Sequence, residues 1–369
     1  MKDFFLLQAR SCLFFLQRLF FAWRRRKIEC DTRSLPVLGL GDILNNKRCI
    51  HGGAVKLLAL RDAFPINEKK YNLLYLVSSA QPPCAQDLVI KARQAGVSFV
   101  WNQNGVGYPA WAGREIERYN APMRRLRALA DHVIYQSAFC RDSAELFLGS
   151  YAGPSEILLN PIDLKKFSPS SKRPPICPLR LLTLGTHGYK ERVFSTLHCL
   201  KLVSELDPHV TLTIAGKCAW SHGARSVYEE IKRLGLCSHV KVLPAFTQDE
   251  AVGLYHAHHI VLHPKYLDPC PTVVMEALAC GCPVVGSASG GVTELVSQES
   301  GVLIKAPVDW HTMITPTGSE LAEAVLKIMS DFETYARVAR ARAEALFDRK
   351  HWLARHREIF EQLLRKDVT

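Results

Sequence analysis

Within Ile260–Val296, one carboxylate stands among residues that are otherwise apolar. Thr272–Cys280 is apolar on every side except at Glu276. A helix that is apolar all round is buried, so the pattern predicts an acid carried into an interior. An unpaired charge there costs several kcal/mol or takes up a proton, at roughly 1.4 kcal/mol per pKa unit. Glu276 therefore needs a partner. Three glycine segments that precede helices offer a second kind of chemistry: His51-Gly52-Gly53, Gly185–Arg192 and Ser287–Gly291. Glycine lets backbone N–H groups approach an anion closely, and the helix dipole assists. In the second segment His187, Lys190 and Arg192 add cationic donors suited to phosphate. It is not a P-loop, because the Gly-Lys-Ser/Thr ending is missing. A dinucleotide fingerprint at Gly39-Leu40-Gly41 also fails, since Leu44 stands where the next glycine belongs.

The elements that must position these residues alternate between strand and helix. Ile260–Leu262 reads as a buried strand, Pro269 and Pro271 break the chain, and Thr272–Cys280 is the helix, with Pro271 suited to its first turn. Gly281 ends that helix, Pro283–Gly286 is the next strand, and Gly290-Gly291 opens the next helix. Two βα loops thus meet at the carboxyl edge of a parallel sheet, where open α/β sheets bind ligands. Upstream, strands are expected at Pro36–Leu40, Leu73–Val77, Val97–Trp101, Asp131–Gln136 and Glu156–Asn160, with helices between them, including Ala54–Leu60 and Ala85–Ala95. Asn102, Gln103 and Asn104 follow the Val97–Trp101 strand; polar amides at a strand end either point into a cleft or, as is the default, build a turn. Ser168–Pro178, rich in Pro and Ser, is the clearest linker. Arg180–Leu184 begins a second βα series, and Tyr335–Leu364 is expected to be one long closing helix.

Residues Asp268–Val296 resemble the family-4 glycosyltransferases of the GT-B fold, the group 1 glycosyl transferases. That family carries Glu-x7-Glu, an Ala-Cys-Gly-x-Pro-Val-Val run and a Gly-Gly-x-x-Glu loop. This chain has Asp268-x7-Glu276, Ala279–Val285 and Gly290-Gly291-Val292-Thr293-Glu294. The resemblance implies an α/β fold of two doubly wound Rossmann-like domains facing across a cleft. It implies that Glu276 binds the ribose hydroxyls of a nucleotide-diphosphate sugar and that Asp268 lies by the donor sugar. Gly290 and Gly291, with Glu294 in the same loop, would meet the diphosphate. Lys190 or Arg192, with His187, Gly52 and Gly53, would complete the anion grip, and Asn102, Gln103 and Asn104 would lie on the acceptor side. Transfer would retain anomeric configuration and would need no metal. The chain departs from the family where Asp268 replaces Glu and where Pro269 and Pro271 interrupt the Gly-rich sugar loop. One rival is another enzyme on the same architecture, a nucleotide-sugar epimerase or phosphorylase; the other is of a different class, a membrane-associated sugar-binding or scaffold protein that has lost catalysis.

Bulk properties agree with a cytoplasmic enzyme. The chain has 369 residues, 48% hydrophobic and 22% charged, enough for two globular domains. The expected division is 1–30 as an amphipathic membrane-interface segment, 31–173 as the acceptor domain, 174–340 as the nucleotide-sugar domain, and 341–369 as a helix crossing back. Twelve cysteines without paired spacing indicate free thiols in a reducing compartment rather than disulfides or a metal. A net charge of +12 favours an anionic partner. No nucleic-acid module is present. In Met1–Lys27 aromatic and aliphatic residues share a helix with a polar, Arg-bearing half, followed by Arg24–Lys27, and the longest apolar run falls far short of the ~20 residues of a membrane span. That composition predicts a helix lying in an anionic membrane surface. The partners expected are a nucleotide sugar, a saccharide or lipid-linked acceptor, and the inner face of the cell membrane, in lipopolysaccharide, exopolysaccharide or glycolipid synthesis.

Overall fold

A computed structural model describes residues 27–41 and 52–366. The interfacial reading of Met1–Lys27 and the residue His51 lie, apart from Lys27, outside the described residues.

The first domain is built on a parallel sheet of five strands, β2 (Leu38–Gly39), β4 (Leu73–Val77), β5 (Ser98–Gln103), β6 (His132–Tyr135) and β7 (Ser155–Ile157), lying side by side in that order. A two-stranded pair, β1 (Glu29–Cys30) and β3 (Lys70–Tyr71), sits beside it. Apolar residues of β4 and β5 point to both faces, as a sheet covered on both sides requires. On one face lie the helices Ala85–Gln94, Ile116–Ala128 and Ala138–Leu148, through residues such as Val89, Leu126 and Ala144. On the other lies Gly52–Ala63, through Leu57 and Leu60.

The second domain holds six parallel strands in the order β10-β9-β8-β11-β12-β13. These are β8 (Arg180–Leu184), β9 (Thr211–Ala215), β10 (Val240–Leu243), β11 (Ile260–His263), β12 (Val284–Ala288) and β13 (Gly301–Lys305). The order reverses between β8 and β11, which makes a switch point at their carboxyl ends. Helices Lys190–Ser204, Gly223–Arg233 and Gly318–Met329 cover one face. Helices Gln248–His256, Thr272–Ala279 and Phe332–Leu346 cover the other.

Two expectations are corrected. Tyr335–Leu364 is not one helix: Phe332–Leu346 packs on the second domain, the chain turns at Phe347 and Asp348, and Arg349–Lys366 packs on the first through Trp352, Ile359, Phe360 and Leu363. The chain bends because the apolar stripe must change partners from one sheet to the other. Asn102 and Gln103 do not leave β5; they continue it, fully buried, because the sheet extends to the register Asn102–Ile134 and Gln103–Tyr135. No helix of the described residues is long and apolar enough to cross a membrane.

A candidate donor-and-acceptor cleft

The carboxyl edges of the two sheets face one another across a cleft of about 640 Å³. Gly52, Gly53, Asn104, Trp111, Tyr119 and Gln136 line it from the first domain, and Lys265, Asp268, Pro269 and Thr272 from the second. Of the residues singled out from sequence, the cleft brings together Gly52, Gly53, Asn104 and Asp268.

Asp268 is buried beside two nitrogen donors. Its Oδ2 accepts from His263 Nε2 at 3.0 Å and from Lys265 Nζ at 3.1 Å. Burial pushes its carboxyl up, but Lys265 and His263 overcome that and hold it well below the usual carboxylate range. Burial in turn lowers His263 to about 4, so its imidazole is neutral. Leu267, just before, adopts φ +47°, a left-handed conformation for a non-glycine residue; it turns the chain so that Asp268 enters the cleft.

Glu276 is 4% exposed on the Thr272–Ala279 helix, and its partners come from the neighbouring helix. Tyr255 OH donates to Oε2 at 3.0 Å and Gln248 Nε2 to Oε1 at 3.2 Å. No cation is paired with it among the described residues. Burial therefore prevails over both hydrogen bonds and lifts its carboxyl to about 7. Tyr255 OH also lies 3.1 Å from the Val273 carbonyl, so it has an acceptor available when Glu276 engages something else.

The glycine loop is packed against the domain's own chain. Gly290 has φ +63°, and a Cβ on it would lie 2.5 Å from the Asp268 carbonyl. A Cβ on Gly291 would lie 1.9 Å from the Pro269 carbonyl. The Gly291 N–H donates to Asp268 O at 2.9 Å, so this amide is engaged with the Asp268 loop and does not face the cleft. Glu294 is placed differently from a ligand-binding residue. Its carboxylate crosses to the first domain and accepts from the N–H groups of Ala138, at 2.7 Å, and Phe139, at 3.0 Å. Those amides open the Ala138–Leu148 helix, where orphan donors and the dipole favour a negative charge. Ser137 Oγ, the residue that caps the same helix, donates to Pro269 O at 2.8 Å. Pro269 and Glu294 of the second domain thus dock directly onto the first domain.

The expected cationic grip after β8 does not converge. Lys190 is exposed at the start of its helix. Arg192, 2% exposed, turns inward and donates to the carbonyls of Thr186 and Leu184 at 2.9 Å each. His187 is buried with Nε2 3.2 Å from Ala215 O, and burial lowers it to about 3, so it carries no charge. The i, i+2 spacing of Lys190 and Arg192 explains the split, because residues two apart on a helix point in different directions.

A cation that sequence reading passed over lies beneath the first-domain wall. Lys56, on the Gly52–Ala63 helix, is 1% exposed. Its Nζ donates to Asn102 Oδ1 at 2.5 Å, Asn104 Oδ1 at 2.8 Å and Gln136 Oε1 at 3.2 Å. Burial lowers its ammonium to about 8. The network runs on in one direction: Asn102 Nδ2 donates to Tyr75 OH at 3.0 Å, and Tyr75 OH meets His356 Nε2 at 3.0 Å. His356 Nδ1 lies 2.8 Å from the Trp352 carbonyl and donates to it, so Nε2 accepts from Tyr75. The C-terminal helix therefore holds the far end of a chain of polar groups that begins at the cleft.

Comparison with known proteins agrees with this architecture. Residues 177–344 match the glycosyl transferases group 1 family. It is 32% identical over 177 residues to the D-inositol 3-phosphate glycosyltransferase of Salinispora tropica, covering 42% of this chain and 37% of that protein. It is 26% identical over 222 residues to the glycogen synthase of Mycobacterium tuberculosis, covering 59% of this chain and 51% of that protein. The chain thus spans about half, or less, of the length of these relatives. Among solved structures, Anabaena HepE in complex with UDP superposes with a TM-score of 0.67 at 20% identity, over 89% of this chain and 100% of that one. Sucrose-phosphate synthase from Thermosynechococcus elongatus gives 0.65 at 20% identity, over 80% and 74%. The fold is GT-B.

Proposed function

We propose that the chain is a nucleotide-sugar-dependent glycosyltransferase that moves a sugar to an acceptor hydroxyl held in the cleft. The observation that carries this reading is the placement of Asp268 and Thr272, at the head of the Glu276 helix, in one cleft with Gly52 and Gly53 of the facing domain. In this reading residues 31–173 form the acceptor domain and 174–340 the donor domain, as in family-4 enzymes. Ribose hydroxyls donate to Glu276, and Tyr255 turns to the Val273 carbonyl. Negative charge grows on the diphosphate as the glycosidic bond breaks, and fixed N–H dipoles and cations stabilise it. The start of the Gly52–Ala63 helix supplies dipoles, and Lys190 supplies a cation from its exposed position. No metal is invoked. Asp268, its charge fixed by Lys265 and His263, faces the donor sugar. The leaving phosphate takes the acceptor proton, and configuration is retained. An acceptor at an anionic membrane surface, such as a lipid-linked saccharide, fits the net charge of +12.

The test is product analysis of the purified protein with a panel of nucleotide sugars, with and without saccharide acceptors. A new glycoside of retained configuration is expected only when acceptor is present. Glu276→Ala and Lys190→Ala should each lower its rate on the order of 100-fold while circular dichroism is unchanged. A product that forms without acceptor would replace the reading with an epimerase. No turnover of any donor would overturn catalysis altogether.

A further inference from the structure

Lys56 is a buried ammonium whose hydrogen-bond partners are all neutral. Among the described residues no carboxylate lies within ion-pair distance of it. The ionisable groups that act on its charge are the thiols of Cys270 and Cys140, and burial holds both in the neutral form. Amide oxygens solvate an ammonium, but they do not cancel its charge, and a buried uncompensated charge costs several kcal/mol. The position adds to the excess. Lys56 is one turn into a helix whose first turn contains no acidic residue and whose first two residues line the cleft, so the positive end of the helix dipole lies on the same wall. Two of the three amides that hold the ammonium, Asn104 and Gln136, also line the cleft with their oxygens turned down to it. The wall is positive, and nothing among the described residues balances it.

The same wall carries an aromatic surface. Trp111 is 53% and Tyr119 45% exposed, their ring centroids 4.9 Å apart, and both line the cleft. A singly exposed aromatic needs no explanation, but two side by side form an apolar patch of the kind that serves contact. An exposed tilted pair beside polar amides suits the C–H face of a sugar ring. Across the cleft, the Asp268 carboxylate is tied to Lys265 and His263, which limits its repulsion of an anion.

We propose that the first-domain wall binds an anionic saccharide, a sugar bearing phosphate or carboxylate, with its ring on Trp111 and Tyr119 and its anion over the Asn104–Gln136 amides above Lys56. This rests on the transferase reading in taking that sugar as the acceptor; the binding site itself stands on the geometry of the wall. The diphosphate of the donor is the other anion that could come to this wall, and the test separates the two.

Binding of glucose, glucose 6-phosphate and glucuronate is measured by titration calorimetry without nucleotide, and UDP and GDP are titrated separately. The wild-type protein should bind at least one of the two anionic sugars about tenfold more tightly than glucose, or better. Gln136→Glu places a carboxylate against Lys56 inside the protein. It should remove that preference while leaving thermal stability and nucleotide affinity intact. Lys56→Met should do the same, and because it risks the fold, Gln136→Glu decides. Equal affinity for glucose and both anionic sugars in the wild-type protein would overturn the proposal. So would a Gln136→Glu protein that keeps the preference, or one that weakens nucleotide as much as anionic sugar, since the anion above Lys56 would then be the diphosphate. Failure of every nucleotide to bind counts against the transferase reading and leaves the anionic-sugar result to be judged on its own.

Discussion

Glu276 and Lys56 are the same physical problem with opposite signs. Each is a charged residue set in an apolar stretch of helix, Thr272–Cys280 for Glu276 and Ala54–Leu60 for Lys56, and carried inside by its neighbours. Glu276 is held by two neutral donors, so its carboxyl rises to about 7. The sign of its effect on stability follows. The folded state keeps the proton between the unfolded value near 4.5 and the folded value near 7, so this group lowers stability as pH rises through that window. The full penalty, reached above pH 7, is roughly 3–4 kcal/mol at 1.4 kcal/mol per pKa unit. Glu276→Gln should therefore match wild type in thermal stability near pH 4.5 and exceed it increasingly towards pH 8, while losing transfer. A stability difference that does not change with pH would contradict the buried-acid account. Glu276 was legible in the sequence because one acid interrupts nine residues; its partners were not, since Tyr255 and Gln248 lie on another helix and meet it only through packing. Lys56 gave the same signal, a lone polar residue in an Ala/Leu-rich helix, and the same reasoning would have found it.

At the scale of elements, the Gly290–Glu294 loop joins the two domains. The glycines allow the Asp268–Pro269 loop to lie against them, and Glu294 reaches over to cap the Ala138–Leu148 helix. The Gly-Gly-x-x-Glu pattern was legible, but its partner was not: the pattern resembles a ligand loop, whereas Glu294 is taken up by amides some 155 residues earlier in the chain. The loss of such a cap costs about 1–2 kcal/mol. Glu294→Ala should lower the unfolding free energy by that amount, read as a lower urea midpoint at unchanged m. A midpoint equal to wild type would show that the carboxylate contributes nothing across the cleft.

Across the whole molecule, the βα alternation made both sheets legible, because strands covered on both faces read as apolar runs and helices show their own period. Harder to see were features set by tertiary contact: the extension of β5 through Asn102 and Gln103, the break at Phe347–Asp348, and the polar chain from Lys56 through Asn102 and Tyr75 to His356. That chain ties the last helix to the first-domain wall of the cleft, so the C-terminal segment and the first domain share one buried network. Everything proposed for the cleft depends on whether its second-domain side holds a ribonucleoside diphosphate through Glu276. The direct measurement is calorimetric binding of UDP, GDP and ADP beside their 2′-deoxy counterparts, to wild type and Glu276→Gln. The account predicts that the preferred ribonucleotide binds wild type about tenfold more tightly than its deoxy form, as loss of a hydrogen bond to a charged group implies, and that Glu276→Gln abolishes the difference. Equal binding of ribo and deoxy forms by wild type, or an undiminished preference in Glu276→Gln, would contradict it.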